Sequence, residues 1–498
     1  MDFTRRDLLK FTSGGAAGLV FTPAPWKLLR DASLVSENWP GVPQPRPGEI
    51  RARYTTCTLC PAGCGVRARC VGDQPVSLAG VPGHPSGYGA LCANGLVGHH
   101  LPFCGGRAGA ASDRAISAAL RQVAAAIAQC GPTEHVVILD ARPGRAASQV
   151  YRGFLRKLGH GIYCVPPGTQ PYGPFGIDLE NTRAILSFGV PVLDGWLSPG
   201  RVLRNRGHFQ LIQVEAARSR TASLADLWVP VTPGGESAFA DAVARALAGE
   251  STDLRAADVA SLLQRNQPAI AIGAGAGNLN AALGSVGRRG GFLLRRDYAP
   301  ASDVAEVPDG SIRVLLAEES TLPWDAVRPK LAPRATVVAL TPWVDGYARH
   351  ADYVVPAPLY LESLDEAPTP AGAAAAAFSL SPPLVPAPSG VLAPADFILK
   401  LAGETASYAD ILKQRVAALK KENRGAVFAY ADGKVARVSE IPSAAELWKL
   451  LSSGAVWIDD PLPQRSAALP ALAAGSAGPP VRRTPLMSKL YQESELRS

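Results

Sequence analysis

Four cysteines of this chain are spaced so that they could hold an inorganic cluster. Cys57, Cys60 and Cys64 lie within eight residues in "YTTCTLCPAGCGV", and Cys92 follows in "GYGALCANG". The spacing is Cys-x2-Cys-x3-Cys-x27-Cys. Three close thiolates can hold one face of a cubane while a distant fourth closes the site, and thiolates suit iron–sulfur clusters or zinc. The spacing therefore favours one [4Fe–4S] cluster.

Three other uses of these cysteines stay open from the residues alone. Structural zinc usually takes two separated ligand pairs, whereas three ligands are bunched here. Attachment of a c-type haem needs Cys-x-x-Cys-His, and Pro61 stands where the histidine should be. Disulfides are an option in an exported protein, but bunched cysteines flanked by Gly63 and Gly65 are more typical of a cluster. The other cysteines share no spacing and are interpreted as small buried residues: Cys70, Cys104, Cys130 and Cys164.

The N-terminus predicts an export signal over residues 1–30. Arg5 and Arg6 precede "FTSGGAAGLVF", a glycine-rich apolar run too short to cross a bilayer as a helix. The pattern resembles a twin-arginine signal, and an ordinary basic N-terminus is the alternative. We expect a protein on the periplasmic side of the cytoplasmic membrane, attached through partners or through an uncleaved signal.

Composition and charge place the chain among soluble globular proteins. Hydrophobic residues make up 47% of its 498 residues and charged residues 18%, which is enough apolar material for a sizeable core. The net charge is +8, without long blocks of like charge. This pattern does not support nucleic-acid binding.

The middle of the chain alternates between helical and strand patterns. "AISAALRQVAAAIAQC" and "SQVYRGFLRKLG" have helical apolar spacing, whereas "HVVILDA", "RAILSFG" and "FQLIQVEA" are short apolar runs typical of buried strands. Such alternation predicts parallel sheets of the doubly wound type. "GAGAGN" is a weak dinucleotide signal, and a tight strand-to-helix turn is the alternative.

The cysteine motif and three later phrases together resemble the molybdopterin oxidoreductase superfamily. The phrases are "QVEAARSRTASLADLWVPVTPGGE", "NAALGSVGRRGGF" and "ARHADYVVPAPLYLESLDE". The resemblance implies an α/β fold with a small iron–sulfur domain at 31–105 and two doubly wound parallel-sheet domains at 106–402. It also implies a pocket for a pterin guanine dinucleotide. The residues at the matching positions are Glu215, Arg218, Glu236 and Asp352, for which turn and capping roles are the alternative.

Four departures from the family pattern argue against a molybdenum site. Asn94 stands where the family places a lysine or arginine between cluster and pterin. The loop at 159–181, where the family has its metal ligand, is short and offers only Cys164 as a thiol. Residues 403–498 are too short for the β-barrel domain that closes family members, and the whole chain is shorter than catalytic members. We therefore expect neither the barrel nor a molybdenum–pterin cofactor.

The stretch "TPAPWKLLRDASLVSENWPGVPQPRPGE" before the motif is similar to the non-catalytic branch of the family. That branch includes molybdopterin-like subunits of the menaquinone reductase (Qrc) complex and of alternative complex III. The resemblance implies an iron–sulfur electron-transfer or scaffold subunit of a membrane quinone oxidoreductase. Its implied partners are a ferredoxin-like iron–sulfur subunit, a multihaem cytochrome c and an integral membrane quinone-binding subunit.

Two other functions stay open. One is a catalytic molybdenum or tungsten enzyme acting on a small inorganic or one-carbon substrate, so the sequence leaves open whether the chain is itself an enzyme. The other is a purely structural subunit. For residues 403–498 we expect a helix at 409–423 and an extended tail that docks onto a partner, with a short terminal helix on the chain's own domain as the alternative.

Overall fold

The computed structural model describes residues 48–460, apart from 171, 252, 319 and 321, together with residues 12 and 462. Almost all of the predicted export signal at 1–30, and almost all of the predicted tail after 460, lie outside the described residues. Both therefore stay predictions.

The described elements alternate as the apolar patterns predicted. The strands are β1 Ile50–Thr56, β2 Gly65–Val71, β3 Gln74–Gly80, β4 His135–Leu139, β5 Gly161–Val165, β6 Phe175–Ile177, β7 Ala184–Phe188, β8 Gln210–Glu215, β9 Leu227–Pro230, β10 Ala269–Gly273, β11 Phe292–Leu294, β12 Ser302–Asp303, β13 Ile312–Glu318, β14 Leu331–Thr341, β15 Tyr353–Pro356, β16 Asp365–Ala367, β17 Ala377–Ser381, β18 Ala426–Ala429, β19 Val435–Arg437 and β20 Ala455–Ile458. The helices are α1 Ala93–Val97, α2 Asp113–Ala128, α3 Ala146–Leu158, α4 Pro199–Asn205, α5 Arg220–Leu224, α6 Glu236–Leu247, α7 Leu254–Arg265, α8 Ala276–Leu283, α9 Trp324–Val327, α10 Pro394–Leu401, α11 Tyr408–Glu422 and α12 Ala444–Ser452.

An antiparallel sheet of β1, β2 and β3 carries the first three cysteines. Strands β1 and β2 pair down to Thr56 opposite Gly65, so the residues between them form the loop of a hairpin. The N–H of Cys57 donates to the carbonyl of Cys64 at 2.8 Å, which extends the pairing into the loop. Cys57 and Cys64 are therefore held opposite each other by the backbone.

Two parallel sheets form the body of the molecule and confirm the doubly wound α/β class. The larger has the order β12-β5-β4-β13-β14-β15, and the smaller has the order β10-β7-β8-β9. Strands such as β7 and β10 are apolar and buried along their length, because helices cover both faces of such sheets. In the larger sheet the strand order reverses between β4 and β13. Crevices at such switch points are where ligands bind in this fold class.

The chain after the parallel sheets forms an open antiparallel sheet with the order β16-β17-β20-β18-β19. The predicted helix at 409–423 is α11, which begins with a capping box between Ser407 and Asp410. We did not predict α12 or strands β18 to β20 in this region. Because β16 and β19 lie at opposite edges and are not paired with each other, the described part of the chain contains no closed barrel, as expected.

Within the described residues, no helix combines the length and the apolar character needed to span a bilayer.

Candidate metal centre

The structure brings the four motif cysteines to one end of the hairpin sheet. Cys57 and Cys64 are buried, Cys60 is half-buried, and Cys92 is exposed at the N-cap of α1. After burial, which raises the pKa of Cys57 most, the nearby thiols of Cys60, Cys64 and Cys92 raise it further. The cysteine loop and the start of α1 therefore meet at one site, although 27 residues separate Cys64 from Cys92 in the sequence.

Two glycines shape the loop for different reasons. Gly63 has φ 55°, a left-handed conformation that strains residues with side chains. Gly65 lies against the ring of His84, where a Cβ would come within 2.4 Å of Cδ2. Gly63 therefore allows the tight turn of the loop, whereas Gly65 is needed for close packing.

Burial makes these thiols hard to deprotonate unless a cation lies beside them. It raises the pKa of Cys60 to about 11 and that of Cys64 to about 12, and it raises the pKa of Cys57 well above its usual value. Apolar side chains such as Leu59, Val66 and Leu101 surround the thiols and exclude water. Thiolates in such a site need a bound metal to supply positive charge, so the residues fit a cluster.

The positions of the four thiols also indicate whether they could bind a single ion or a cluster. In the described part of the chain, no three His, Cys, Asp or Glu side chains converge as ligands of a single ion. The four cysteines of a [4Fe–4S] cluster surround a cube rather than a point, because each binds a different iron. The arrangement is compatible with such a cube.

A cavity of about 250 Å³ adjoins the cysteine loop. Cys60 and Asn94 line one side of it, and Arg142, Glu318 and Trp343 line others. It opens at the carboxyl ends of β4 and β13, the point where the strand order of the larger sheet reverses. A second cavity of about 110 Å³ shares Cys60 and Arg142 with the first.

A buried ion network lies at this switch point. The Arg145 guanidinium is 2.7 Å from both the Asp140 and the Glu318 carboxylates. Tyr163 donates to Asp140 at 2.7 Å, and Tyr151 donates to Glu318 at 2.6 Å. Burial opposes the charge of Arg145, but the two carboxylates outweigh it and hold the pKa of Arg145 well above its usual value. Each of these five side chains therefore forms a hydrogen bond or an ion pair within the network.

We did not single out this network from the sequence. Asp140 directly follows β4, and Glu318 is the last residue of β13. An acidic residue closing an apolar strand was the available signal, in "HVVILDA" and "IRVLLAEES". The pairing of β4 with β13 was needed to connect the two carboxylates.

Residues 50–101 match the molybdopterin oxidoreductase Fe4S4 domain. The predicted resemblance to the molybdopterin oxidoreductase superfamily is confirmed.

Two curated relatives extend the similarity beyond this domain. The chain is 28% identical over 529 aligned residues to the menaquinone reductase, molybdopterin-binding-like subunit, of Nitratidesulfovibrio vulgaris, covering 84% of this chain and 75% of the relative. It is 25% identical over 236 residues to a sulfite dehydrogenase subunit of Allochromatium vinosum, covering 40% of this chain and 24% of the relative. The fold resembles that of acetylene hydratase from Pelobacter acetylenicus, with a TM-score of 0.55, 13% identity, and coverage of 70% of this chain and 69% of that one.

Next to the Fe4S4 domain, a cation approaches the cysteine loop from an unexpected element. Asn94 is neutral at the position where the resemblance led us to expect a basic residue. Arg142, in the loop after β4, forms an ion pair with Asp365 at 2.8 Å and lies 3.4 Å from the carbonyl oxygen of Thr58. Arg142 thus places positive charge beside the cavity without a residue from the cysteine motif.

The N-terminus of α3 is occupied by a carboxylate of the chain itself. Glu366 accepts a hydrogen bond from the N–H of Ala147 at 3.3 Å and another from the Tyr408 hydroxyl at 2.7 Å. Helix N-termini attract anions such as phosphates. At this helix a carboxyl group of the chain itself takes that place, and burial raises the pKa of that group.

The residues predicted to contact a pterin nucleotide do not line either cavity. Glu215 ends β8 and accepts hydrogen bonds from Gln213 and from the N–H of Ser219, both at 2.9 Å. The Arg218 guanidinium lies 5.7 Å from the Trp228 ring centre. Glu236 opens α6. A nucleotide role for these residues stays a prediction.

Asp352 makes the contacts that a turn role predicts. Its carboxylate accepts from the N–H of Val337 at 2.8 Å, and its own N–H donates to the Val337 carbonyl at 2.9 Å. Asp226 makes the same pair of contacts with Leu211, at 2.7 and 3.0 Å. In each of the two parallel sheets, an aspartate directly before one strand thus forms hydrogen bonds with the backbone of the neighbouring strand.

Cys164 lies inside β5 and does not line either cavity. Burial raises the pKa of its thiol to about 12. These surroundings match the interpretation of Cys164 as a small core residue.

Proposed function

We propose that this chain is an iron–sulfur electron-transfer or scaffold subunit of a membrane quinone oxidoreductase. Cys57, Cys60, Cys64 and Cys92 would hold one [4Fe–4S] cluster. The observation that carries the proposal is the convergence of these four cysteines within a matched Fe4S4 domain. Similarity to a subunit of a menaquinone reductase supports menaquinone as the quinone.

The burial of the cysteines suits single-electron transfer. A bound cluster accepts or donates one electron without breaking bonds. Cys57 and Cys64 are buried in an apolar shell that limits solvent access, whereas Cys92 is exposed. The edge of the site at Cys92 is therefore the side from which a redox partner would exchange electrons.

We further propose the assembly in which this chain works. It faces the periplasm after twin-arginine export and is linked to a cytochrome c. Its partners are a ferredoxin-like iron–sulfur subunit, a multihaem cytochrome c subunit, and an integral membrane quinone-binding subunit. The resemblance noted from the sequence and the menaquinone reductase relative support this assignment.

We also propose that the chain holds no molybdenum or tungsten. The cavity of about 250 Å³ is smaller than the ~300–1,000 Å³ typical of sites for small molecules and cofactors. The two arginines in its walls, Arg142 and Arg145, are already paired with Asp365 and Glu318, so neither is left free for a pyrophosphate. Glu366 already occupies the N-terminus of α3.

Metal analysis of the isolated subunit tests the cluster, because the proposed partner subunits contain iron of their own, and redox titration of the intact complex tests the cluster's role. We expect about four irons per chain, a one-electron EPR signal on reduction, and no stoichiometric molybdenum or tungsten. Reduction of this cluster by a quinol analogue would assign it to the electron path, whereas a cluster that stays oxidised would favour a structural subunit. Zinc without iron would refute the cluster, and stoichiometric molybdenum would favour the catalytic alternative.

A further inference from the structure

Tyr360 is a buried tyrosine in the shell of the cysteine site. Its side chain packs in the same apolar cluster as Cys57, Leu59 and Cys64, and the residue is 8% exposed. A Cβ on Gly98 would come within 2.7 Å of the Tyr360 ring. The absence of a side chain at Gly98 therefore makes room for the ring in this position.

The hydroxyl group of Tyr360 lacks a conventional partner. It is fully buried, and no group among the described residues accepts or donates a hydrogen bond to it with standard geometry. Its surroundings are the motif thiols: it lies beside the Cys57 side chain, in the same cluster as Cys64, and near the Cys92 side chain. Buried hydroxyls without a partner are costly and rare, so the environment of this one requires an acceptor.

We propose that Tyr360 donates a hydrogen bond to the thiolate of Cys57 when the cluster is bound and thereby raises the cluster's reduction potential. The inference rests on the proposed function, because it requires a cluster at these cysteines. Reduction adds one electron and makes the cluster and its thiolates more negative. An O–H dipole directed at a ligand sulfur stabilises that added charge, while the proton stays on the tyrosine. Tyr360 is a positioning residue that works through the ligand.

The substitution Tyr360→Phe removes the hydroxyl and keeps the ring. We expect the variant to retain its iron and to show a lower midpoint potential in an EPR-monitored redox titration. The equilibrium constant for reduction should fall by up to about tenfold, which is about 59 mV for a one-electron couple. Tyr347→Phe is the matched control, because Tyr347 is also buried but donates to the Leu322 carbonyl in a different apolar cluster. Its potential should equal that of the unmodified protein.

A second substitution keeps the Tyr360 hydroxyl and tests for a shift of the reduction potential in the opposite direction. Replacing Tyr360 by 3,5-difluorotyrosine makes the hydroxyl a stronger donor and should raise the potential. If Tyr360→Phe loses its iron, the difluorotyrosine protein decides the question alone. Unchanged potentials in a cluster-loaded protein would overturn the role of Tyr360 and leave the proposed function standing. An unmodified protein without iron would overturn both.

Discussion

The Nε2 atom of His84 lies 3.2 Å from the Tyr430 hydroxyl, and this contact joins the cysteine domain to the C-terminal sheet. Nδ1 of His84 accepts hydrogen bonds from the N–H groups of Ser86 and Gly87, at 3.2 and 3.1 Å. The proton of the neutral ring is therefore on Nε2, which donates to Tyr430. The Tyr430 hydroxyl in turn lies 3.0 Å from Thr56, one residue before the first cysteine. The C-terminal region thus supports the loop that carries the first three motif cysteines.

Removing the Tyr430 hydroxyl should weaken this junction. Tyr430→Phe leaves the buried Nε2–H of His84 without an acceptor, so the free energy of unfolding should fall by about 1–3 kcal/mol. Urea unfolding of the variant measures the loss. Tyr298→Phe is the control, since Tyr298 is only half-buried and lies outside this contact. Equal stability of the two variants would contradict a structural role for the His84–Tyr430 contact.

The stability of the protein should decrease as the pH falls below neutrality. Burial lowers the pKa of His84 to about 3 in the folded state, whereas an unfolded histidine titrates near ~6.5. Below ~6.5 the unfolded chain therefore binds a proton that the folded chain does not, and this histidine's contribution is complete only above that pH. We expect a loss of about 2 kcal/mol between pH 7 and pH 5 from His84 alone.

A pH series of urea unfolding curves on His84→Gln tests this assignment. The slope between pH 7 and pH 5 should become shallower, although the variant is less stable at every pH. Some slope should persist, because burial, aided by His100, also lowers the pKa of His99 to about 4. A slope identical to that of the unmodified protein would assign the pH dependence to other groups.

Serine at any of the four motif positions should disrupt the cluster. A serine hydroxyl is a poor ligand for a cluster iron, so Cys57→Ser, Cys60→Ser, Cys64→Ser and Cys92→Ser should lower the iron content and the visible absorbance. Cys104→Ser is the control within the same domain. The Cys104 thiol donates to the His100 carbonyl at 3.6 Å, a bond that serine can also make. Loss of iron in Cys104→Ser, or full iron in a motif variant, would contradict the ligand assignment.

The buried ion network at the switch point should contribute strongly to the stability of the fold. Glu318→Gln removes one of the two carboxylates that neutralise Arg145, and breaking a buried ion pair costs about 3–5 kcal/mol because a charge is left uncompensated. Thermal and urea unfolding measure the change. Glu404→Gln breaks an exposed pair of the same 2.7 Å length with Lys157 and should have no measurable effect. Similar outcomes for the two variants would mean that the buried network contributes no more than a surface pair.

Export should depend on both N-terminal arginines. Replacing Arg5 and Arg6 with lysine should leave the folded protein in the cytoplasm, because the twin-arginine route requires the arginine pair. Fractionation followed by immunoblotting measures the distribution between compartments. Normal periplasmic accumulation of the double variant would rule out this route.

The sequence by itself determined the features that depend on local spacing. The cysteine spacing predicted the metal centre, and the apolar periods predicted the strands and helices of the two parallel sheets, because both patterns are set by residues close together in the chain. The helix at α11 was predicted for the same reason.

Only the tertiary structure decided which distant groups meet. Arg145 pairs with Glu318 across 173 residues, and His84 meets Tyr430 across 346, because strand pairing and sheet packing bring these segments together. The position of Tyr360 beside Cys57 likewise depends on packing against Gly98. A single sequence shows each of these residues. It does not show the register of β4 with β13, or of β18 with β20, which decides the residues that become neighbours. Such long-range pairing comes from burial of the whole core rather than from any local pattern.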